Sequence, residues 1–220
     1  MSQGPLSSRM GDRRALSPST RQSLIDSLDD LIRTPGKACY RTLVQLATNS
    51  TKNDFATLVH CPAFVGAGIR DGALQRRASS SSGWAPQTTQ MFNPASRGLL
   101  IEGASIEQCI FLLRKPVAGR ASELTRFTIG RAQESDVLVN DFAISREHAV
   151  VEIRGGSFYL KDLGSSNGTY VNGTAIDDRG TLLENGATVR FARYEFQFLL
   201  APDLYELMRQ RGLSALDSSE

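Results

Sequence analysis

Four turn dipeptides, Gly155-Gly156, Asn167-Gly168, Asn172-Gly173 and Asn185-Gly186, cut the second half of this 220-residue chain into short apolar runs. Gly-Gly and Asn-Gly tolerate positive φ at both central positions of a primed turn, the geometry that a tight antiparallel hairpin demands. The runs around them cover residues 109–113, 127–129, 137–139, 149–153, 158–160, 169–171, 187–191 and 194–200. They are rich in β-branched and aromatic residues and too short to be stable helices. Many short strands with almost no helical periodicity between them predict an all-β sandwich over residues 105–201.

The first hundred residues read differently. Residues 1–20 are rich in Ser, Gly, Pro and Arg and predict a disordered tail. Residues 21–75 predict a small helical region. Leu24, Ile25, Leu28, Leu31 and Ile32 fall on one helical face, and Thr34-Pro35-Gly36 opposes continuation. Further helices are expected at residues 38–48 and 54–60. Helices this short need one another or a partner, so the region is expected to be a structural unit, with a second binding partner as the alternative. Residues 76–104 hold a run of four serines and scattered prolines and predict a linker. Residues 202–220 predict a short C-terminal helix, ending near Arg209, and a flexible tail.

Charge and motif content exclude several functions. Residues 1–100 carry 12 Lys+Arg against 6 Asp+Glu, and residues 101–220 carry 13 against 17. The patterned half is therefore acidic, which argues against nucleic acid as its ligand, since phosphate backbones require a basic face. Cys39, Cys61 and Cys109 make neither a disulfide framework nor a metal motif, and His60 has no second ligand at metal spacing. Gly66, Gly68 and Gly72 miss the dinucleotide pattern, because its last glycine falls on Asp71. No phosphate-binding loop, nucleophile elbow or catalytic constellation occurs. No run approaches the roughly 20 apolar residues of a membrane helix, and the N-terminus lacks the apolar core of a signal peptide. The expectation is a cytoplasmic binding protein without enzymatic activity, cofactor or metal.

Chemistry concentrates in three connections of the sandwich. Gly130-Arg131 closes one strand, Ser145-Arg146-Glu147-His148 precedes another, and Ser165-Ser166-Asn167-Gly168-Thr169 precedes a third. Guanidiniums, hydroxyls and an amide without a carboxylate pair suit recognition of a dianion with three acceptor oxygens. Together with Asp162-Leu163-Gly164, Val171-Asn172-Gly173 and Asn185-Gly186, these residues are similar to the forkhead-associated (FHA) domain, over about residues 106–200.

That resemblance implies a sandwich of about eleven strands that binds phosphothreonine at one apex. It implies phosphopeptide contacts from Arg131, Ser145, Ser166 and Asn167, with Arg146 adding charge at the rim. Ser166 stands where threonine is common in the family. Gly130, His148, Asp162, Gly168, Thr169, Asn172 and Gly173 are implied to shape the loops, His148 by ring hydrogen bonds rather than by ligand contact. The function implied is a phosphothreonine-dependent adaptor in bacterial Ser/Thr kinase signalling, its partner a threonine-phosphorylated protein such as a kinase or its substrate. Two alternatives stand beside it: a phosphorylation-independent scaffold of a larger assembly, such as secretion machinery, and self-association through a phosphorylated linker at Thr88 or Thr89.

Overall fold

Alternation along the strands decides how this chain layers, because successive side chains of a strand face opposite ways. The computed structural model describes residues 32–34, 36–70, 105–115 and 125–217. In chain order its elements are β1 (Ile32–Thr34), β2 (Lys37–Ala38), α1 (Tyr40–Asn49), α2 (Lys52–Val59), β3 (Ala63–Ile69), a 3-10 turn (Ile106–Gln108) and β4 (Ile110–Leu112). There follow β5 (Arg126–Gly130), β6 (Val137–Leu138), β7 (Ala149–Arg154), β8 (Ser157–Asp162), β9 (Thr169–Val171), β10 (Thr174–Ala175), β11 (Thr181–Leu183), β12 (Thr188–Phe191), β13 (Tyr194–Leu199) and α3 (Ala201–Asp217).

Two mostly antiparallel sheets form the sandwich. One runs β1-β2-β4-β3-β13-β12-β9-β10 and the other β11-β8-β7-β5-β6. Val189, Phe191, Tyr194, Phe196 and Phe198 point inward from β12 and β13 and meet Ile129, Val151 and Leu160 of the opposing sheet in one buried core. Phe64 lies at the centre of an aromatic group, with its ring 5.5–6.4 Å from those of Phe191, Phe196 and Phe198.

The outward side of the larger sheet has its own core. Val65, Ile110, Leu112 and Leu199 face away from the sandwich and are covered by Leu43 and Leu46 of α1, Phe55 and Leu58 of α2, and Leu204, Tyr205 and Met208 of α3. The molecule thus has three layers: helices, an eight-stranded sheet and a five-stranded sheet. The apolar faces of α1 and α2 are consumed within the fold, so a partner at these helices would meet their polar sides.

Helices at 38–48 and 54–60 are observed with small boundary shifts, and Thr51 caps α2 by accepting the Asp54 N–H at 3.1 Å. Three readings are corrected. Ile32 opens a strand rather than closing a helix; the rest of that expected helix lies outside the described residues, as do the tail and residues 76–104. The C-terminal helix runs on past Arg209 to Asp217: Arg211 donates to the Glu107 carbonyl (2.6 Å), and the buried Gly212 lies against Val44 and Thr48 of α1.

The largest correction concerns residues 63–69, which are not part of a helical head. They form β3, the strand between β4 and β13 in the sandwich itself. Seven apolar residues are too few for a stable helix, and Ala63 to Gly66, buried on both faces, suit a central strand. Its pairing with β13 spans about 130 residues of sequence, so local pattern could not place it.

Gly66 is what allows that strand to sit there. A Cβ at this position would lie 1.9 Å from the carbonyl oxygen of Ile106. We predict that Gly66→Ala destabilises the whole fold by about 2 kcal/mol, the overpacking cost of a filled core, measured by urea denaturation. A neutral substitution would contradict the central position of β3.

Candidate functional site at one apex of the sandwich

The end of β5 and the loop before β7 are joined more closely than any side chain would permit. A Cβ on Gly130 would lie 2.1 Å from the Arg146 carbonyl oxygen. With only hydrogen there, the two segments are zipped by backbone bonds: Arg131 N–H donates to Ser145 O (3.0 Å), Ala132 N–H to Arg146 O (3.2 Å) and His148 N–H to Ile129 O (2.9 Å). Arg131 is thereby held beside Ser145.

His148 links this loop to the next. The ring is buried, stands edge-on to Phe191 and accepts the Ser145 N–H at Nδ1 (3.1 Å). Its hydrogen therefore sits on Nε2 and is donated to the Gly168 carbonyl (3.3 Å). Burial pushes the imidazole below its ordinary value of 6.5, outweighing the nearby Asp162 charge and the Gly168 carbonyl, which both favour protonation. A neutral ring is the form these two bonds require.

Asp162 organises the third loop. Its carboxylate accepts the hydroxyls of Ser165 (2.6 Å) and Thr169 (2.7 Å) and the backbone N–H groups of Gly164 and Ser165 (both 2.9 Å). Burial alone would raise its carboxyl; these donors prevail and hold it below the usual 3.8. With four donors already satisfied, Asp162 is a scaffold anion rather than a free base.

The loops meet above this scaffold. Ser166 N–H donates to Ser145 Oγ (3.0 Å), and the two hydroxyl oxygens are 3.5 Å apart. Asn167 Nδ2 donates to the Ala143 carbonyl (2.7 Å). Arg131, Arg146 and Ser166 are exposed, while Ser145 and Asn167 are half-buried. The structure thus brings Arg131, Ser145, Ser166 and Asn167 to one apex, with Arg146 at its edge. Asn172 and Gly173 do not join it: with φ of 49° and 83° they make the tight turn between β9 and β10, where Asn172 Oδ1 accepts the Thr188 N–H.

Sequence reasoning missed a buried cluster beneath the apex. Asp141 Oδ2 accepts the hydroxyl of Tyr194 (2.6 Å) and the guanidinium of Arg193 (2.8 Å), and Asp141 Oδ1 accepts the Ala143 N–H (2.7 Å). An aspartate bonding the amide two residues on is a local turn signal that the stretch Asp141-Phe142-Ala143 does carry.

Among the described residues no group of His, Cys, Asp and Glu is placed to hold a metal. Burial pushes the Cys61 thiol up to about 12 and raises Cys109 as well, so neither is an activated nucleophile. No described helix is long and apolar enough to cross a membrane.

Comparison with known proteins decides the family. The FHA domain model matches residues 127–192. The oxoglutarate dehydrogenase inhibitor of Corynebacterium glutamicum is 33% identical over 131 residues, spanning 59% of this chain and 84% of that protein. The chain belongs to the FHA domain family. The glycogen accumulation regulator GarA of Mycolicibacterium smegmatis is 34% identical over 105 residues, covering 46% of this chain and 65% of that one. Among solved structures, the FHA domain of the CT664 protein from Chlamydia trachomatis aligns at 27% identity with a TM-score of 0.36, over 44% of this chain and 89% of that one. The match to the FHA model begins at β5, although the sheets of this FHA fold also include β3 and β4 from upstream.

The neutral histidine makes the fold sensitive to acid. Because the folded-state value of His148 is depressed, the unfolded chain binds the extra proton first. Stability is fully present above about 6.5, the ordinary imidazole value, and falls as pH drops below it. Chemical denaturation at pH 7 and pH 5 should give a lower midpoint at pH 5, and His148→Gln should lessen the difference; an equal difference in the variant would contradict this role.

Proposed function

We propose that this chain is a non-catalytic adaptor that binds threonine-phosphorylated protein through the apex formed by Arg131, Ser145, Ser166 and Asn167. One observation carries the reading: the use of the Ser145 hydroxyl. Its oxygen already accepts the Ser166 N–H, and its hydrogen makes only a long bond of 3.5 Å to Ser166 Oγ. A bond of that length is weak, so the Ser145 hydrogen can turn from it to an incoming acceptor. The backbone of Arg131 is tied to that of Ser145 through the bond between Arg131 N–H and Ser145 O, and its side chain is exposed. A phosphate dianion supplies the acceptor oxygens such a set requires, and charge-assisted bonds from a guanidinium are the strong ones.

Asn167 then binds the ligand backbone next to the phosphoresidue through its second amide hydrogen and its Oδ1, while the bond to Ala143 keeps the side chain oriented. Arg146 adds charge at the rim. Selection of phosphothreonine over phosphoserine requires a niche for the γ-methyl and is carried over from the family. The curated relatives are named as a regulator and an inhibitor, which supports a regulatory binding role, here within Ser/Thr kinase signalling in the cytoplasm of a bacterium.

A second reading has its own observation. Arg70 N–H donates to Arg193 O at the β12–β13 turn, and Ala192 N–H of the same turn donates to Gly168 O. Arg70, which precedes Thr88 and Thr89 in the sequence, therefore sits at the apex end of the sandwich. Thr88 lies eighteen positions after Arg70, a reach of up to about 60 Å. A phosphothreonine there is within range of its own apex or a neighbour's. Kinase treatment followed by mass determination and size-exclusion chromatography tests this; an unchanged elution of phosphorylated protein counts against association between copies.

The principal test is binding to an oriented phosphothreonine peptide library, with matched phosphoserine and unphosphorylated pools. Binding to the phosphothreonine pool is expected to exceed both controls. Charge-assisted bonds contribute about 1.5–3 kcal/mol each, so Arg131→Ala is expected to abolish measurable binding in calorimetry. Unchanged affinity in that variant would overturn the pocket assignment, and equal binding to the unphosphorylated pool would favour a phosphorylation-independent scaffold.

A further inference from the structure

The apex residues do not hold their own positions. Asn167 depends on the Ala143 carbonyl, and Ala143 depends on Asp141. The Asp141 carboxylate is buried and divided between two tasks. Oδ1 accepts the Ala143 N–H (2.7 Å), folding residues 141–143 into a turn, and the Ile144 N–H closes on the Asp141 backbone carbonyl (3.0 Å). Oδ2 is gripped from another element, by the Tyr194 hydroxyl (2.6 Å) and the Arg193 guanidinium (2.8 Å) at the start of β13. Arg193 also donates to the Tyr194 oxygen (2.9 Å), so the three groups bond one another in a triangle.

This set adds a polar anchor to a loop that Ala143 and Ile144 also hold by burial in the core. Between Asp141 and Ala143, both buried, Phe142 is 89% exposed and contributes nothing to holding the turn. Immediately after Ile144 comes Ser145, whose hydroxyl receives Ser166. One carboxylate therefore helps to set, together with the bonds from Arg131 and to His148 that hold Ser145, the location of two apex groups.

We propose that Asp141 is a positioning residue for ligand recognition: clamped by Arg193 and Tyr194, it places Ala143 and Ser145, and through them Asn167 and Ser166. The role rests on the phosphothreonine reading for its effect on affinity, but the positioning is visible in the free protein. Both carboxylate oxygens are needed. Asparagine at 141 has a single acceptor oxygen, which serves either the Ala143 amide or the Tyr194–Arg193 pair, but not both.

The experiment compares the full chain with Asp141→Asn, Tyr194→Phe and Arg193→Lys in two readouts. One is calorimetric affinity for the pooled phosphothreonine peptide library. The other is the Asn167 side-chain amide resonance in the free protein, which a general loss of stability would not shift in the folded population. Asp141→Asn is expected to weaken the pool about tenfold and to move the Asn167 resonance. Tyr194→Phe, which keeps its ring in the core, and Arg193→Lys, which keeps a cation, are expected to lose about threefold each with smaller movements.

Wild-type affinity in Asp141→Asn overturns the proposal, as does weakened binding with an unmoved Asn167 resonance. If Asp141→Asn does not fold, the Tyr194→Phe protein decides by the same two readouts. A wild-type protein that ignores the phosphothreonine pool overturns the phosphothreonine reading and with it the effect on affinity, a result distinct from failure of the variants alone.

Discussion

The apex depends on an approach that only glycine permits: Gly130 against the Arg146 carbonyl, where a Cβ would intrude to 2.1 Å. From that contact follow the backbone bonds that set Arg131 beside Ser145, and from Ser145 the bond that brings Ser166 alongside. His148 and Asp162 then hold the two loops from beneath, one as a neutral ring with an acceptor and a donor face, the other as a carboxylate saturated with donors. Buried polar groups that are fully satisfied in this way rigidify a site. Rigidity matters here because a ligand bound by few groups gains most when those groups need no reordering.

The groups with catalytic appearance are thus scaffold. His148 is buried and engaged at both nitrogens, Asp162 is spent on four donors, and the buried thiols are raised well away from reactivity. What faces outward is a guanidinium, two hydroxyls and an amide. That division between an inward anion and outward donors is what the proposed recognition of a phosphate dianion requires.

Much of this was legible in the chain. Most strands between 127 and 199 announced themselves as short β-branched and aromatic runs between turn dipeptides, although β10 and β11 did not, and Gly130, Arg131, Ser145, His148 and Asn167 stand in an ordered, spaced set. The position of β3 was not legible, because a seven-residue apolar strand paired with partners more than 40 and about 130 residues away has no local signature. Nor was the use of the helices, whose apolar stripes announced amphipathicity without saying that the sheet's own outer face would cover them. Asp141 escaped because its role is decided by Arg193 and Tyr194, some 52 residues downstream, and a lone aspartate in a loop carries no such message. Even and odd positions of a strand can be read from sequence; which distant strand they meet cannot.

The central claim is that the Arg131–Ser145–Ser166–Asn167 apex is where this FHA protein meets phosphorylated threonine. The most direct measurement is a heteronuclear NMR titration with a phosphothreonine peptide taken from the library and with its dephosphorylated counterpart. Shifts confined to the amides of Arg131, Ser145, Arg146 and Ser166 and the side chain of Asn167, present only with the phosphorylated peptide, are the result expected. Equal responses to both peptides, or shifts centred on α1, α2 and α3, would contradict it.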